Sequence, residues 1–469
     1  MFGLKRWMAG TAAVAVMAFA PQAQAETLGD ALVSAYKTSH LLEQNRALLA
    51  VADEGVAQNI AALRPVINFI AEYGKTRTLA DPTALTDLTG RESFREQATV
   101  SLAIELTLLD FGRSKARTEA AKEAVLATRA GLVGVEQDVL LKAVQAYVNV
   151  RLTLEIQNLR QNYVNVISEE LRATKDRFDV GEVTRTDVAL AEATLAEARA
   201  ALAAAEGDVL VAREAYKAAV GHYPAVLSAP PKAPSLPGSL DAALSVARRE
   251  HPSIIAQQHT VKAADLNIEL AKANMRPTVG VSGTLGASGG AGSNLDYNSQ
   301  TLGLSMSQTL YAGGRLSSQL RQAQMQREAE RAALHQTAVT IEQNLGNAWA
   351  QLDVSAAQID ANNRQIEAAR VAFEGLREEA KLGARTTLEV LDAEQDVLNA
   401  RAARVQSEAE RYFAVYQVLA TMGKLTAKDL NLGIPTYDVT GYYNFVKDAP
   451  VVSFQGEQLD RVLKSLGKN

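Results

Sequence analysis

Two proline-free stretches of about 65 residues, 113–177 and 315–381, constrain this chain more than any other feature. In the second, a seam steps by four and three residues from Leu334 through Ala338, Ile341, Leu345, Ala348, Leu352, Ser355, Ile359, Asn362, Ile366, Ala369, Phe373, Leu376 and Ala380. Only Ser355 and Asn362 interrupt its apolar character. A seam kept at 3.5 residues per step lets a helix lie along another helix in a left-handed coil. At a rise of 1.5 Å per residue such a helix is roughly 100 Å long. No compact globular domain has room for it.

The first 25 residues read as a segment removed on export. Lys5 and Arg6 precede an apolar run from Met8 to Ala20, and Ala23-Gln24-Ala25 offers a small-residue cleavage site before Glu26. Losing Lys5 and Arg6 takes the basic residues from 48 to 46 against 53 acidic ones, a net charge of −7. That balance gives no reason to expect nucleic acid as a partner. The chain has no cysteine, which excludes disulfides, thiolate sites and a lipidated N-terminal cysteine. Beyond residue 25 no run reaches the ~18 consecutive apolar residues of a transmembrane helix. An exported chain of this kind is soluble, peripheral or a β-barrel.

What remains is two copies of one unit. Arg64-Pro65 recurs as Arg276-Pro277 and Ala31-Leu32 as Ala243-Leu244, both at a spacing of 212. From Gly112-Arg113, matched by Gly314-Arg315, the spacing is 202, and it holds for Gly181 with Gly383 and for Gly221 with Gly423. The difference falls between Pro65 and Gly112, so only a loop there changed length. A repeat this long lies outside the usual solenoid periods and reads as an internal duplication. The expected divisions are a leader over 1–25, a first repeat over 26–221, a proline-rich linker over 222–238, a second repeat over 239–433 and a tail over 434–469.

Each copy reads as helix, two strands, long helix and shorter returning helix. The strands come from alternation: Val100, Leu102, Ile104, Leu106 and Leu108 face one way in Thr99–Leu108, as do Leu302, Leu304, Met306 and Leu310 in Thr301–Leu310. Partner strands are expected at Val66–Thr76 and Thr278–Ala287, after each Arg-Pro. Ten-residue segments that are apolar on one face and small-polar on the other suit strands with lipid outside and water inside. A half-buried sheet on a soluble domain would alternate too. Export, and Phe111, Tyr311, Tyr73 and Tyr297 near the strand ends as an interfacial girdle, favour the membrane. The hairpin tips Leu79–Glu92 and Ser288–Asn298 then face external water.

Four strands cannot close a membrane barrel, because an open edge in lipid leaves backbone groups unpaired, and the smallest barrels need about eight. Several chains must share one barrel. The returning helix Thr186–Val220 and the helix expected at Leu240–Asn274 are each roughly 50 Å long, so end to end they match one long helix. Thr186–Val220 also carries two seams, one through Ala191, Leu195, Ala198, Ala205 and Val209, the other through Ala189, Ala193, Ala196, Ala200, Ala203 and Gly207. A helix packed on both sides is what a closed ring requires.

The paired repeats and the joints Leu109–Arg113 and Tyr311–Arg315 carry a family resemblance. So do the tips Gly181-Glu182-Val183-Thr184-Arg185-Thr186-Asp187 and Gly383-Ala384-Arg385-Thr386-Thr387-Leu388-Glu389. In register over Glu26 to Leu430, they resemble TolC-type outer-membrane efflux proteins. The resemblance implies a mainly α fold with a membrane β-barrel part: a homotrimer with a twelve-stranded barrel in outer-membrane lipid and a twelve-helix periplasmic tunnel. It further implies an entrance at the helix tips that docks a periplasmic adaptor and an inner-membrane pump. Glu389 and Asp392 match the acidic residues of that narrow entrance, and Arg385 matches an arginine of the links that hold it shut. Asp187 is the candidate from the first copy, which has Leu190 where Asp392 would pair. Ala380 replaces the family's tyrosine before the tip glycine.

The tips also have a local reading. Gly181 and Gly383 sit where a helix needs a left-handed residue to stop. Thr184 with Asp187, and Thr386 with Glu389, are capping boxes for the next helix, so Asp187 and Glu389 serve as caps whatever else they do. Gly112, Arg113, Gly314 and Arg315 mark the strand-to-helix joints. No cofactor or metal is expected: the five histidines are scattered and no nucleophile constellation or phosphate loop appears. The tail, with Tyr437, Tyr442, Tyr443 and Phe445, is expected to pack outside the tunnel near its middle. The expected function is an exit duct for a tripartite efflux or type I secretion system; the alternative is a periplasmic coiled-coil or adaptor protein without a pore.

Overall fold

The structure is a computed structural model and describes residues 25–79, 92–290, 297–447 and residue 461. The expected leader, apart from Ala25, lies outside the described residues, as do the middles of both expected hairpin tips and most of the chain beyond Lys447. The first copy comprises α1 (Leu28–Thr38), α2 (His40–Ala61), β1 (Val66–Leu79), β2 (Glu92–Leu109), α3 (Arg113–Asp179) and α4 (Arg185–Val220). The second repeats it as α5 (Leu240–Glu250), α6 (Pro252–Ala273), β3 (Thr278–Gly289), β4 (Tyr297–Ser307), α7 (Arg315–Lys381) and α8 (Thr387–Thr421), and a short α9 (Gly441–Val446) follows.

The strands form one antiparallel sheet in the order β1-β2-β3-β4, so β2 and β3 join the two copies. The register puts apolar residues opposite one another on one face: Phe69, Leu102 and Leu285 across β1 to β3, and Leu106, Val281 and Leu304 across β2 to β4. Ser101, Gly286 and Ser299 share the other face. Directly opposed residues lie on the same side of a pleated sheet, so the apolar stripe crosses all four strands and stays uncovered. Phe69 is 71% and Leu302 83% exposed. β4 ends at Ser307, three residues short of the expected Leu310. Its last partner is Thr278, and the residue before Thr278 is Pro277, which has no N–H to continue the ladder.

α3 and α7 have 67 residues each, and every member of the α7 seam from Leu334 to Ala380 is buried or half-buried. α4 and α8 return along the tip-side lengths of α3 and α7, and α2 lies along the strand-side part of α3. Two expectations fail here. The stretch expected as one helix, Leu240–Asn274, is two. His251 is extended at φ −68°, ψ 126° and Pro252 begins α6, because a residue before proline is pushed out of the helical region. The first copy breaks at the equivalent Ser39, whose hydroxyl accepts the Leu42 N–H. α4 is therefore not continued by the helix after the linker. It ends against the α1–α2 break of its own copy, where Thr38 Oγ1 donates to Val220 O at 3.0 Å. Gly221 is left-handed there (φ 98°), and a Cβ on it would sit 2.6 Å from Thr38 Oγ1.

The main core lies at this level, where α1, α3, the ends of α4 and α8 and the linker converge. Tyr147 and Tyr216 are fully buried in it. Tyr147 donates to Ser228 O at 2.8 Å, and Tyr216 donates to the Glu26 carboxylate at 2.5 Å. Glu26 in turn pairs with the linker through its N–H to Val226 O at 2.8 Å. The linker is thus fastened rather than loose. A second cluster joins Tyr163, Val164 and Ile167 of α3, Ala191 and Leu195 of α4, and Leu391 and Leu398 of α8.

Candidate functional site at the helix tips

Both tips are built the same way. Glu182 N–H donates to Arg177 O and Gly181 N–H to Phe178 O, each at 2.9 Å; Ala384 N–H donates to Glu379 O at 3.0 Å and Gly383 N–H to Ala380 O at 3.1 Å. This pair of bonds is the Schellman ending of a helix, and it needs a left-handed residue. Gly181 and Gly383 supply it at φ 80° and 75°. Capping boxes start the next helices. The Asp187 carboxylate accepts from Thr184 N–H at 2.8 Å, and Glu389 Oε2 accepts from Thr386 N–H at 2.8 Å and from its hydroxyl at 2.9 Å.

The second tip adds a cation. Arg385 Nε donates to Glu379 Oε2 at 2.8 Å and its Nη1 to Glu389 Oε1 at 3.0 Å. Glu389 therefore has both oxygens engaged. The Thr386 N–H and hydroxyl, and then Arg385, favour its charged form and hold its carboxyl below the usual glutamate value. Asp187 is held low in the same way by Thr184, hydroxyl first. Asp392 is exposed and has no hydrogen bond or ion pair among the described residues. Arg385, Glu389 and Asp392 line one open groove of about 390 Å³ together with Asp396. Asp396 was missed from the sequence, although it lies one turn past Asp392 on the same face of α8. Glu379 was also missed. It meets Arg385 only because the hairpin folds back, and no spacing along one helix reveals that.

The structure brings Arg385, Glu389 and Asp392 together but sets Asp187 apart. Asp187 lines the neighbouring groove between the two tips, with Thr184, Gly383, Arg385 and Thr386. At the far end, the first-copy joint is held by α3 together with the end of α6 and the turn that follows it. Asp110 accepts the Ser114 N–H, and Arg276 donates to Phe111 O at 3.1 Å. Arg113 reaches Ala273 O at 3.4 Å, while Arg315 is exposed. The described part of the tail lies on α2 and α3: Tyr442 donates to Glu54 at 2.7 Å, and the Tyr443 ring stacks 5.3 Å from the Arg129 guanidinium.

One long surface is bare. The second seam of α4, Ala189, Ala193, Ala196, Ala200, Ala203 and Gly207, is exposed at every position, whereas the first is buried against α3. Ala189 and Ala196 are the first-copy equivalents of Leu391 and Leu398, which do find a partner in the second cluster.

The family model described as outer membrane efflux protein matches residues 31–222 and 243–424, one match per copy. The chain is 36% identical over 428 residues to the outer membrane efflux protein BepC of Brucella suis, covering 91% of each chain. It is 24% identical to the outer membrane protein TolC of Escherichia coli, over 88% of this chain and 85% of that one. Among solved structures, the Campylobacter jejuni CmeC outer membrane channel superposes with a TM-score of 0.73 at 17% identity, over 92% of this chain and 91% of that one.

The cap at Glu389 has a pH signature. Its depressed carboxyl stabilises the tip fully above the ordinary glutamate value of 4.5, and that contribution is lost as pH falls through the lower folded value. Glu389→Ala should therefore speed hydrogen exchange of the Thr386 amide at pH 7, with the difference from the parent narrowing only as pH falls below 4.5 and through the lower folded value. Equal exchange of the Thr386 amide in the variant and the parent at pH 7 would contradict the cap.

Proposed function

The chain belongs to the outer membrane efflux protein family, and from that premise we propose that three copies close one barrel and one tunnel, entered at the helix tips. It is an outer-membrane exit duct, through which substrates handed over by an inner-membrane pump pass across periplasm and outer membrane. The observation that carries the shared barrel is the four-stranded sheet with an apolar face left exposed among the described residues and β1 and β4 at its edges; the number three is the one the family resemblance implies. In hydrocarbon those edges must be paired, and three copies supply twelve strands. The bare alanine seam of α4 supports the same ring. Leu398 on α8 packs near Tyr163 on α3. By the duplication, Ala196 on α4 packs near Gln365 on a neighbouring copy's α7. An adaptor docks on the grooves between the tips, and the duct passes its cargo without chemistry.

Because the parent has no cysteine, Ala196→Cys with Gln365→Cys tests the ring directly. Oxidation should yield covalent dimers and trimers that vanish under reductant. Monomers alone after complete oxidation would remove the proposed neighbour contact.

The entrance charge belongs chiefly to Asp392 in this proposal. Both oxygens of Glu389 are engaged by Thr386 and Arg385, whereas Asp392 has no such partner among the described residues, and three copies aim its carboxylate at one axis. A ring of carboxylates at a constriction favours cations. In bilayer recordings Asp392→Asn should lower cation preference more than Glu389→Gln does. Unchanged selectivity in Asp392→Asn would remove the acidic entrance and leave the duct standing.

A further inference from the structure

The duplication supplies an internal control for a groove at the α1–α2 break. Each copy has an open groove where its helix break meets the long helix and the end of the returning helix. Ser39, Leu41, Val139, Lys142 and Ala219 line the first; the equivalent His251, Ser253, Ile341, Asn344 and Thr421 line the second. The backbone feature is one and the same, but the chemistry is not. Lys37, Arg46, Lys142 and Lys217 line the first groove, with His40 and a single carboxylate, Glu43. At the equivalent positions the second copy has Arg249, Gln258, Asn344, Leu419, Pro252 and Ile255. The second groove is lined by no lysine, arginine or carboxylate. Four cations gather in one groove of a chain whose net charge is −5.

Local duties explain only part of this. Lys37 and Lys217 lie in the last turns of α1 and α4 and also answer the carbonyl ends of those helices. Lys142 and Arg46 are in helix interiors. Lys142 is exposed and has no hydrogen bond or ion pair among the described residues. The Arg46 guanidinium lies 5.2 Å from the Tyr36 ring and 5.1 Å from the Tyr437 ring, and its Nε is buried without a hydrogen-bond partner among the described residues. Glu43 is turned towards His40 at 3.4 Å.

We infer that the groove at the α1–α2 break binds an anion bearing two or more carboxylate or phosphate groups. Its open volume of about 900 Å³ accepts a multiply charged ligand. α2, of 22 residues, sets it roughly 33 Å from the strands, beyond the reach of lipid phosphates, so the ligand comes from the periplasm. The groove also stays open in the proposed ring. α6 is flanked by α3 on one side and α7 on the other, yet the second groove beside it remains open, with no α3 residue lining it. A neighbour's α7 beside α2 occupies the equivalent place. That accessibility rests on the threefold reading, and measuring the assembly's mass alongside separates a failed ring from a failed groove.

The test uses the full chain in mild detergent at low salt. Fluorescein-labelled penta-glutamate is followed by anisotropy and inorganic tripolyphosphate by calorimetry. The parent should bind at least one probe saturably, and the preferred probe identifies carboxylate or phosphate as the natural chemistry. Lys37→Gln with Lys142→Gln and Lys217→Gln should weaken that binding roughly tenfold or more, while Arg249→Gln in the second copy should leave it unchanged. Lys142→Gln alone, at an exposed position, keeps the test decisive if the triple variant assembles poorly, and should weaken binding a few-fold. No saturable binding of either probe by the parent, or equal affinity in the parent and the lysine variants, overturns the inference.

Discussion

A strand edge cannot be left open in hydrocarbon, and most of this architecture follows from that. Water would satisfy the free N–H and C=O groups of β1 and β4, but lipid cannot, and each unpaired group there costs several kcal/mol. The described residues bring four strands and a face of Phe69, Leu102, Leu285 and Leu304 that none of them covers. The lipid takes the face; other copies must take the edges. The helices meet the same demand in aqueous surroundings, where it is weaker. α7 buries one seam and α4 leaves its alanine seam bare. Small residues there let a neighbouring helix come close without a large apolar surface standing exposed before assembly.

Duplication is how one chain supplies half of each contact to itself. The α3–α8 packing around Tyr163, Leu391 and Leu398 is formed within the chain, and its counterpart between α4 and the next copy's α7 is the proposed joint. The two copies then diverge where symmetry is not needed. At the tips, Thr386, Glu389 and Arg385 form a network that the first copy lacks beyond Thr184 and Asp187. At the helix breaks, Pro252 stands where the first copy has His40, and Asn344 where it has Lys142. Backbone geometry is conserved between the copies while charge is redistributed, which is the pattern expected when one scaffold carries several unlike sites.

Periodic features were readable from the residues alone. The seam of α7, the alternation of β2 and the paired glycines at 181 and 383 each dictate a local geometry, and each is found. Ser39 and His251 were harder. Helix-forming residues continue on both sides of Ser39, and only its capping of the Leu42 amide ends α1 there. Pro252 announces a helix start, and the residue before it, His251, is where α5 ends. Alternation continues to Leu310, but β4 stops at Ser307 because pairing needs a partner strand and β3 begins only at Thr278. At the tips, capping boxes were legible because both members lie three residues apart. Asp396 was legible by the same one-turn rule. The Arg385–Glu379 contact was not, since it exists only once the hairpin closes.

A single chain is an incomplete object, so the assembled mass is the most direct test. Light scattering of the purified protein in a mild detergent, with the detergent contribution subtracted, should return three times the mass of one chain. It should do so without crosslinker and across a wide range of concentration, because the edges of β1 and β4 would otherwise stay unpaired. A stable species of one chain in the same detergent, with its sheet intact by circular dichroism, would contradict the account.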